Sequence, residues 1–264
     1  MKILVLLAGA VLTMVTALLA LLYWRQEGLL FAPEKLPADF SINEPDVSEL
    51  AIAVDGATLS ALHLRLPDPK GVVFYLHGNA GNLASWFVDV DFYRRANFDL
   101  FMLDYRGYGK SSGRISSEAQ LRSDVAAAWG RIAPLYRGRR RVFLGRSLGT
   151  ALAAGLAAQE QPDLTILVSP YWSMTEMAAL HYPLVPALLL RYPLETYRDV
   201  ARIDGPVLLL HGDRDELIPV AQARRLLAVG RAAQLVLVPG AAHNDLQDFP
   251  VYLQAIAGSL AALP

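Results

Sequence analysis

The chain opens on an uncharged run from Ile3 to Trp24, after which its apolar positions fall into short bursts separated by longer mixed stretches. Strand-length apolar runs lie at 50–54, 59–66, 72–76, 100–103, 142–144, 164–168, 207–210 and 235–238. Short runs of this kind, bounded by turn residues, read as strands. Stretches at 82–96, 117–136, 148–160, 220–230 and 245–262 are long enough for helices, and most of them separate strands from the third onward. Strand and helix in alternation imply right-handed crossovers. The pattern therefore predicts an α/β protein with a mostly parallel sheet and helices on both faces. In such a sheet ligands meet the carboxyl ends of the strands, so the residues just after each run are where chemistry is sought. The segment 170–199 breaks the rhythm. It is rich in aromatic, Leu and Pro residues, where two to six residues would suffice to join strand to helix, and it predicts a cap inserted at about 170–200.

The opening run holds 22 residues between Lys2 and Arg25, with only Gly9, Thr13 and Thr16 departing from apolar character. As a helix it reaches about 33 Å, enough to cross a hydrocarbon core of about 30 Å. A cleaved signal peptide would close on small residues, yet Ala8 and Ala10 come early and the run ends Leu21-Leu22-Tyr23-Trp24 before Arg25. That ending suits an interfacial anchor. The expected organisation is a transmembrane signal anchor over 1–25, an irregular tether over 26–48 carrying Pro33, Pro37 and Pro45, and one globular domain over 49–264. The single-lysine tail before the run favours a single-pass topology with that domain on the non-cytoplasmic side.

Composition narrows the function. With 54% hydrophobic and 19% charged residues the chain is not disordered. Its 24 basic and 25 acidic residues give a net charge of −1, without the basic excess that nucleic-acid binding requires. The absence of cysteine excludes disulfides, thiolate metal sites and cysteine nucleophiles, and is neutral about compartment.

The chemistry begins at Gly145-Arg146-Ser147-Leu148-Gly149, which follows the strand at 142–144 and opens an Ala-rich helical run. Gly-x-Ser-x-Gly between strand and helix is a nucleophile elbow: the turn is too tight for neighbouring Cβ atoms, and it projects the serine hydroxyl off the sheet. A hydroxyl attacks only when a base takes its proton, and the base needs a carboxylate to orient it. The loop His211-Gly212-Asp213-Arg214-Asp215-Glu216 follows the strand at 207–210, and Pro239-Gly240-Ala241-Ala242-His243 follows the strand at 235–238. Nucleophile, acid and base thus occur in the chain order this architecture uses. Of the five histidines, His63 lies within a strand-like run, His77 and His211 each precede a glycine at a strand end, and His181 lies in the cap. His243 is the expected base, and Asp213 and Asp215 compete for the acid. An oxyanion would be met by the backbone N–H of Leu148 and by one from the loop His77-Gly78-Asn79-Ala80-Gly81-Asn82, assigned to Asn79. The glycine-rich loop Tyr105–Gly113 lacks P-loop spacing and reads as a structural turn. The cluster Arg137-Gly138-Arg139-Arg140-Arg141 precedes a strand and reads as a solvated edge on the far side.

These segments, with Asp104-Tyr105-Arg106-Gly107-Tyr108-Gly109-Lys110-Ser111-Ser112-Gly113, resemble an alpha/beta-hydrolase over roughly residues 30 to 262. Among its subgroups the chain is most similar to the membrane-anchored serine hydrolases of the alpha/beta-hydrolase-domain type, which share the N-terminal span and the Tyr-Arg-Gly-Tyr-Gly loop. The resemblance implies the alpha/beta-hydrolase fold with an eight-stranded, mostly parallel sheet and a Ser-Asp-His triad. It also implies hydrolysis of ester or related acyl bonds without metal or organic cofactor. Its Asp-x-x-Ile-Pro pattern, here Asp215 with Ile218 and Pro219, implies Asp215 as the acid. The apolar cap predicts a small-molecule or lipid acyl substrate contacted by Tyr171, Trp172, Leu188 and Leu189. A peptidase or acyltransferase on the same triad, and a non-catalytic membrane-tethered interaction protein, are the alternatives.

Overall fold

A computed structural model describes residues 1–264. Eight strands form one sheet: β1 (Val47–Val54), β2 (Ala57–Leu64), β3 (Gly71–Leu76), β4 (Phe98–Leu103), β5 (Arg140–Arg146), β6 (Leu164–Val168), β7 (Val207–Gly212) and β8 (Ala233–Val238). Their order across the sheet is β8-β7-β6-β5-β3-β4-β2-β1. Only β2 runs antiparallel to its neighbours β1 and β4; every other pairing is parallel. The antiparallel pair is closed by Asp55-Gly56, with Gly56 at φ 69°, a left-handed position that suits glycine in a two-residue hairpin.

Nine helices accompany the sheet: α1 (Lys2–Leu30), α2 (Leu83–Trp86), α3 (Val90–Ala96), α4 (Glu118–Ile132), α5 (Gly149–Glu160), α6 (Met174–His181), α7 (Thr196–Val200), α8 (Ala221–Val229) and α9 (Pro250–Ala261). β3 is buried along its whole length, with Val72, Phe74 and Leu76 in one core layer and Val73 and Tyr75 in the other. Side chains alternate along a strand, so a strand covered on both faces must be apolar at every position. Phe74, Phe101, Phe143 and Trp129 interlock edge to face or stacked under α4.

Register sets where the site forms. Leu76 at the end of β3 pairs with Gly145 in β5, so the loop at 77–82 emerges beside the elbow. Val238 pairs with Gly212, so the acid-bearing and base-bearing loops emerge together on the same edge. The predicted helix at 82–96 is instead split into α2 and α3 by residues 87–89, where Asp89 takes a left-handed φ of 55°. The one predicted at 245–262 begins as a 3₁₀ turn at Leu246–Asp248 and restarts at Pro250, which tolerates the first helical position because no N–H is needed there.

The N-terminal segment departs from the expected tether. α1 runs on to Leu30, past the predicted boundary at 25, and ends where Pro33 pushes Ala32 out of helical conformation. Residues 31–35 then pack as a strap. Phe31 is buried in the core against Tyr192, Ala32–Pro33 pair with Ala80–Gly81, and Lys35 bridges to Gly109. The apolar part of α1 is unburied and is long and apolar enough to cross a membrane.

Candidate active site

Ser147 sits at the tip of β5 with φ 51°, a left-handed conformation that a non-glycine residue holds only when its surroundings enforce it. The enforcement is steric. A Cβ on Gly145 would strike the backbone of Gly149, and one on Gly149 would strike the carbonyls of Leu76 and His77. Strand, turn and helix therefore close only with glycine on either side of the serine. Ser147 Oγ lies 3.1 Å from His243 Nε2, and His243 Nδ1 lies 2.8 Å from Asp215 Oδ2. An ionised carboxylate can only accept, so Nδ1 carries the proton and Nε2 is left to accept from the serine hydroxyl.

The side chain of Asp215 is fully buried. Oδ1 accepts the N–H groups of Leu217 and Ile218 at 3.1 and 2.8 Å, which is what the Asp-x-x-Ile turn provides. Burial by itself would raise its pKa. The bonds from His211, His243 and Ile218 outweigh that and hold the carboxyl well below the usual range. Asp213 faces away from this chain, with Oδ1 accepting the N–H of Gly240.

Leu148 follows Ser147 directly at the elbow, and Asn79 lies in the loop that leaves β3 beside it. The N–H groups of Leu148 and Asn79 make no hydrogen bond within the protein. The Asn79 loop is held from outside: Tyr108 Oη donates to Asn79 O at 2.6 Å, Tyr105 Oη to His77 O at 2.9 Å, and Ala32 N–H to Asn79 O at 2.8 Å. The Tyr-Arg-Gly-Tyr-Gly loop, read from sequence as a structural turn, thus braces the 77–82 loop.

The family model described as serine aminopeptidase, S33, matches residues 67–195. An uncharacterised protein of Mycobacterium tuberculosis is 36% identical over 192 residues, covering 70% of this chain and 67% of that protein. The human alpha/beta hydrolase domain-containing protein 17B is 29% identical over 235 residues, covering 84% of this chain and 78% of that protein. Among solved structures, the Pyrococcus furiosus esterase Pf2001 superimposes with a TM-score of 0.71 at 18% identity, covering 89% of this chain and 98% of that one. Est1E from Butyrivibrio proteoclasticus, bound to ferulic acid, gives 0.64 at 20% identity, over 80% of this chain and 96% of that one.

This chain belongs to the alpha/beta-hydrolase superfamily. Its mostly parallel eight-stranded sheet and the cap insert between β6 and β7 are those of an alpha/beta-hydrolase fold, as the resemblance implies.

The remaining histidines of this hydrolase have structural partners. His63 Nε2 lies 2.6 Å from Tyr136 Oη, which in turn donates to Asp99. Burial lowers His63 to about 4. His77 Nδ1 donates to Gly78 O, and burial likewise lowers its pKa to about 4. Its Nε2 lies 3.7 Å from Asp104 Oδ1, in a pocket where burial raises the Asp104 carboxyl to about 7. His211 Nε2 donates to Ile218 O beside the acid, and His181 Nε2 reaches Leu217 O from the cap.

The expected substrate contacts divide. Tyr171 is buried, with Oη 3.4 Å from Leu148 O at the elbow. Trp172 stacks on Tyr197 and has the Arg225 guanidinium of α8 over its ring at 4.1 Å from the centroid, so its ring is taken up by packing. Leu189 is half-buried and gives its carbonyl to Gln26 of α1. Leu188 is 85% exposed. The prolines at 183 and 186 deny this segment the helix that would have turned a regular apolar face inward.

Arg146 carried no signal beyond its place in the motif. Its guanidinium lies over Trp86 and donates to His243 O at 3.3 Å, tying the base loop to β5. The Arg137–Arg141 cluster sits at the amino ends of the strands, with Arg139, Arg140 and Arg141 bound to Asp68, Asp163 and the carbonyls of Glu160 and Gln161.

Proposed function

We propose that this hydrolase is a membrane-anchored serine esterase or thioesterase acting on apolar acyl groups, with Ser147 as nucleophile, His243 as base and Asp215 as the acid that orients it. The observation that carries the reading is the unbroken chain Asp215–His243–Ser147 at 2.8 and 3.1 Å, ending on a hydroxyl whose backbone is held at φ 51°. Ser147 Oγ adds to the acyl carbonyl as His243 Nε2 takes its proton. The oxyanion forms against the N–H groups of Leu148 and Asn79. His243 returns the proton to the leaving group, and water then repeats the sequence on the acyl-enzyme. α1 is long and apolar enough to cross a bilayer and serves as a single-pass anchor, with the domain on the non-cytoplasmic side. Protease accessibility in intact cells tests that side.

The test of mechanism is covalent labelling by a fluorophosphonate, followed by turnover of a panel of esters, thioesters and amides. Wild type is expected to label and to hydrolyse esters, and Ser147→Ala to do neither while melting at the wild-type temperature. Labelling that survives the substitution overturns the nucleophile. Turnover of amides above esters moves the reading to a peptidase.

A further inference from the structure

Large apolar side chains exposed on the globular domain are mostly scattered singly: Val88, Leu135, Leu217, Leu227 and Val251 are between 36 and 53% exposed. The cap is different. Leu180, Tyr182, Leu184 and Leu188 lie within nine residues and are 49, 62, 93 and 85% exposed. The segment 180–190 holds no Asp, Glu, Lys or Arg. A contiguous apolar patch of this kind marks a surface that is covered in use.

The contacts of α1 say what covers it. Gln26 bonds to both sides of Leu190, with Nε2 donating to Leu189 O at 2.5 Å and Oε1 accepting from Arg191 N at 2.8 Å. Glu27 pairs with Arg191 at 2.7 Å and accepts from Tyr192 Oη at 2.7 Å. The Arg191 guanidinium lies 5.6 Å from the ring centroid of Tyr23. Gln26 is three residues beyond Tyr23, about 4.5 Å along the helix axis, and the headgroup layer on each side of a bilayer is about 5–8 Å thick. With Tyr23 at the interface of a membrane-crossing α1, Leu189 would lie at headgroup depth, with Leu188 one residue from it.

We propose that cap residues 180–190 dock on the lipid bilayer beside α1, seating Leu184 and Leu188 at the boundary between headgroups and acyl chains. The proposal rests on α1 crossing the membrane, as in the function proposed above. Depth is limited by the backbone: the segment is irregular and its peptide groups need water or headgroup partners, which the hydrocarbon interior lacks. Arg191, with its guanidinium paired to Glu27 and lying over Tyr23, ties the end of this segment to α1 at that level.

The absence of cysteine makes the test clean. Single variants Leu12→Cys, Leu135→Cys, Leu184→Cys and Leu188→Cys of the full chain are labelled with an environment-sensitive fluorophore and reconstituted in phosphatidylcholine vesicles. Emission is quenched by acyl-brominated phosphatidylcholine from the lipid side and by iodide from water. The expected result is loss of emission to brominated lipid at 12, 184 and 188, and to iodide at 135, which lies at the amino ends of the strands. Quenching at 184 and 188 by iodide alone, with 12 still quenched by lipid, overturns the docking while leaving the anchor. Loss of lipid quenching at 12 overturns the anchor and the docking with it.

Discussion

Asp215→Asn is the substitution whose outcome the geometry specifies most closely. Asparagine has nearly the shape of aspartate but one acceptor oxygen and one NH2 group. The two N–H groups of Leu217 and Ile218 converge on Oδ1 at 3.1 and 2.8 Å, so the amide oxygen must stay there, since an NH2 in its place would face two donors. The NH2 is then presented to His243 Nδ1, 2.8 Å away in the wild type. Nδ1 must become an acceptor, which moves the proton to Nε2 and leaves nothing to take the hydrogen of Ser147. The same tautomer reversal in a Ser-His-Asp protease lowers kcat about 10⁴-fold, equivalent to about 5.4 kcal/mol of barrier. A loss of that order is expected here in kcat for a p-nitrophenyl ester. Fluorophosphonate labelling should slow in proportion, because it uses the same base. Asp215→Ala should be no worse than Asp215→Asn despite its smaller side chain, because it removes the group that enforces the wrong tautomer. Wild-type kcat within tenfold in Asp215→Asn, or an equal loss in Asp213→Asn, would refute the assignment.

Asp104 provides a pH test. Its folded carboxyl titrates at about 7 through burial, against about 3.9 in an unfolded chain, so between these values the native state holds a proton the unfolded state has released, and stability falls as pH rises through that window. Asp104→Asn keeps the acceptor for Leu83 N–H and removes the titration. Its melting temperature should exceed wild type by more at pH 8 than at pH 5, with a ceiling of ~4 kcal/mol; an equal difference at both pH values would discard this account. The strap predicts that the point of truncation matters. Removing residues 2–22 leaves Gln26, Glu27 and Phe31 in place and should give a folded protein that still labels with fluorophosphonate. Removing residues through 35 empties the core site of Phe31, at a cost of about 3–5 kcal/mol, and frees Asn79 from Ala32, so both the melting temperature and the labelling rate should drop. Identical melting and labelling of the two truncations would show that the strap is passive.

The candidate site was legible in the sequence because each part of it is a short signal tied to a strand end. Gly145 and Gly149 flag a turn whose sterics admit nothing larger, and parallel pairing then brings the 77–82, 213–219 and 239–243 loops to that same end of the sheet. Asp215 was separable from Asp213 only by resemblance, and its geometry beside His243 is a matter of where two loops meet. The alternation of strands and helices was likewise readable, because burial on both faces demands continuous apolar runs. Tertiary structure decided what depended on distant partners. Whether 26–35 is a loose tether or a strap rests on Phe31 finding Tyr192 and Ala32 finding Asn79, contacts for which no local pattern exists. Whether Leu188 faces inward or outward rests on an irregular, proline-broken segment with no period to read, anchored by Gln26 from more than 160 residues away. Sequence fixes geometry where one backbone conformation satisfies the local sterics; where many do, the choice belongs to the packing of the whole chain.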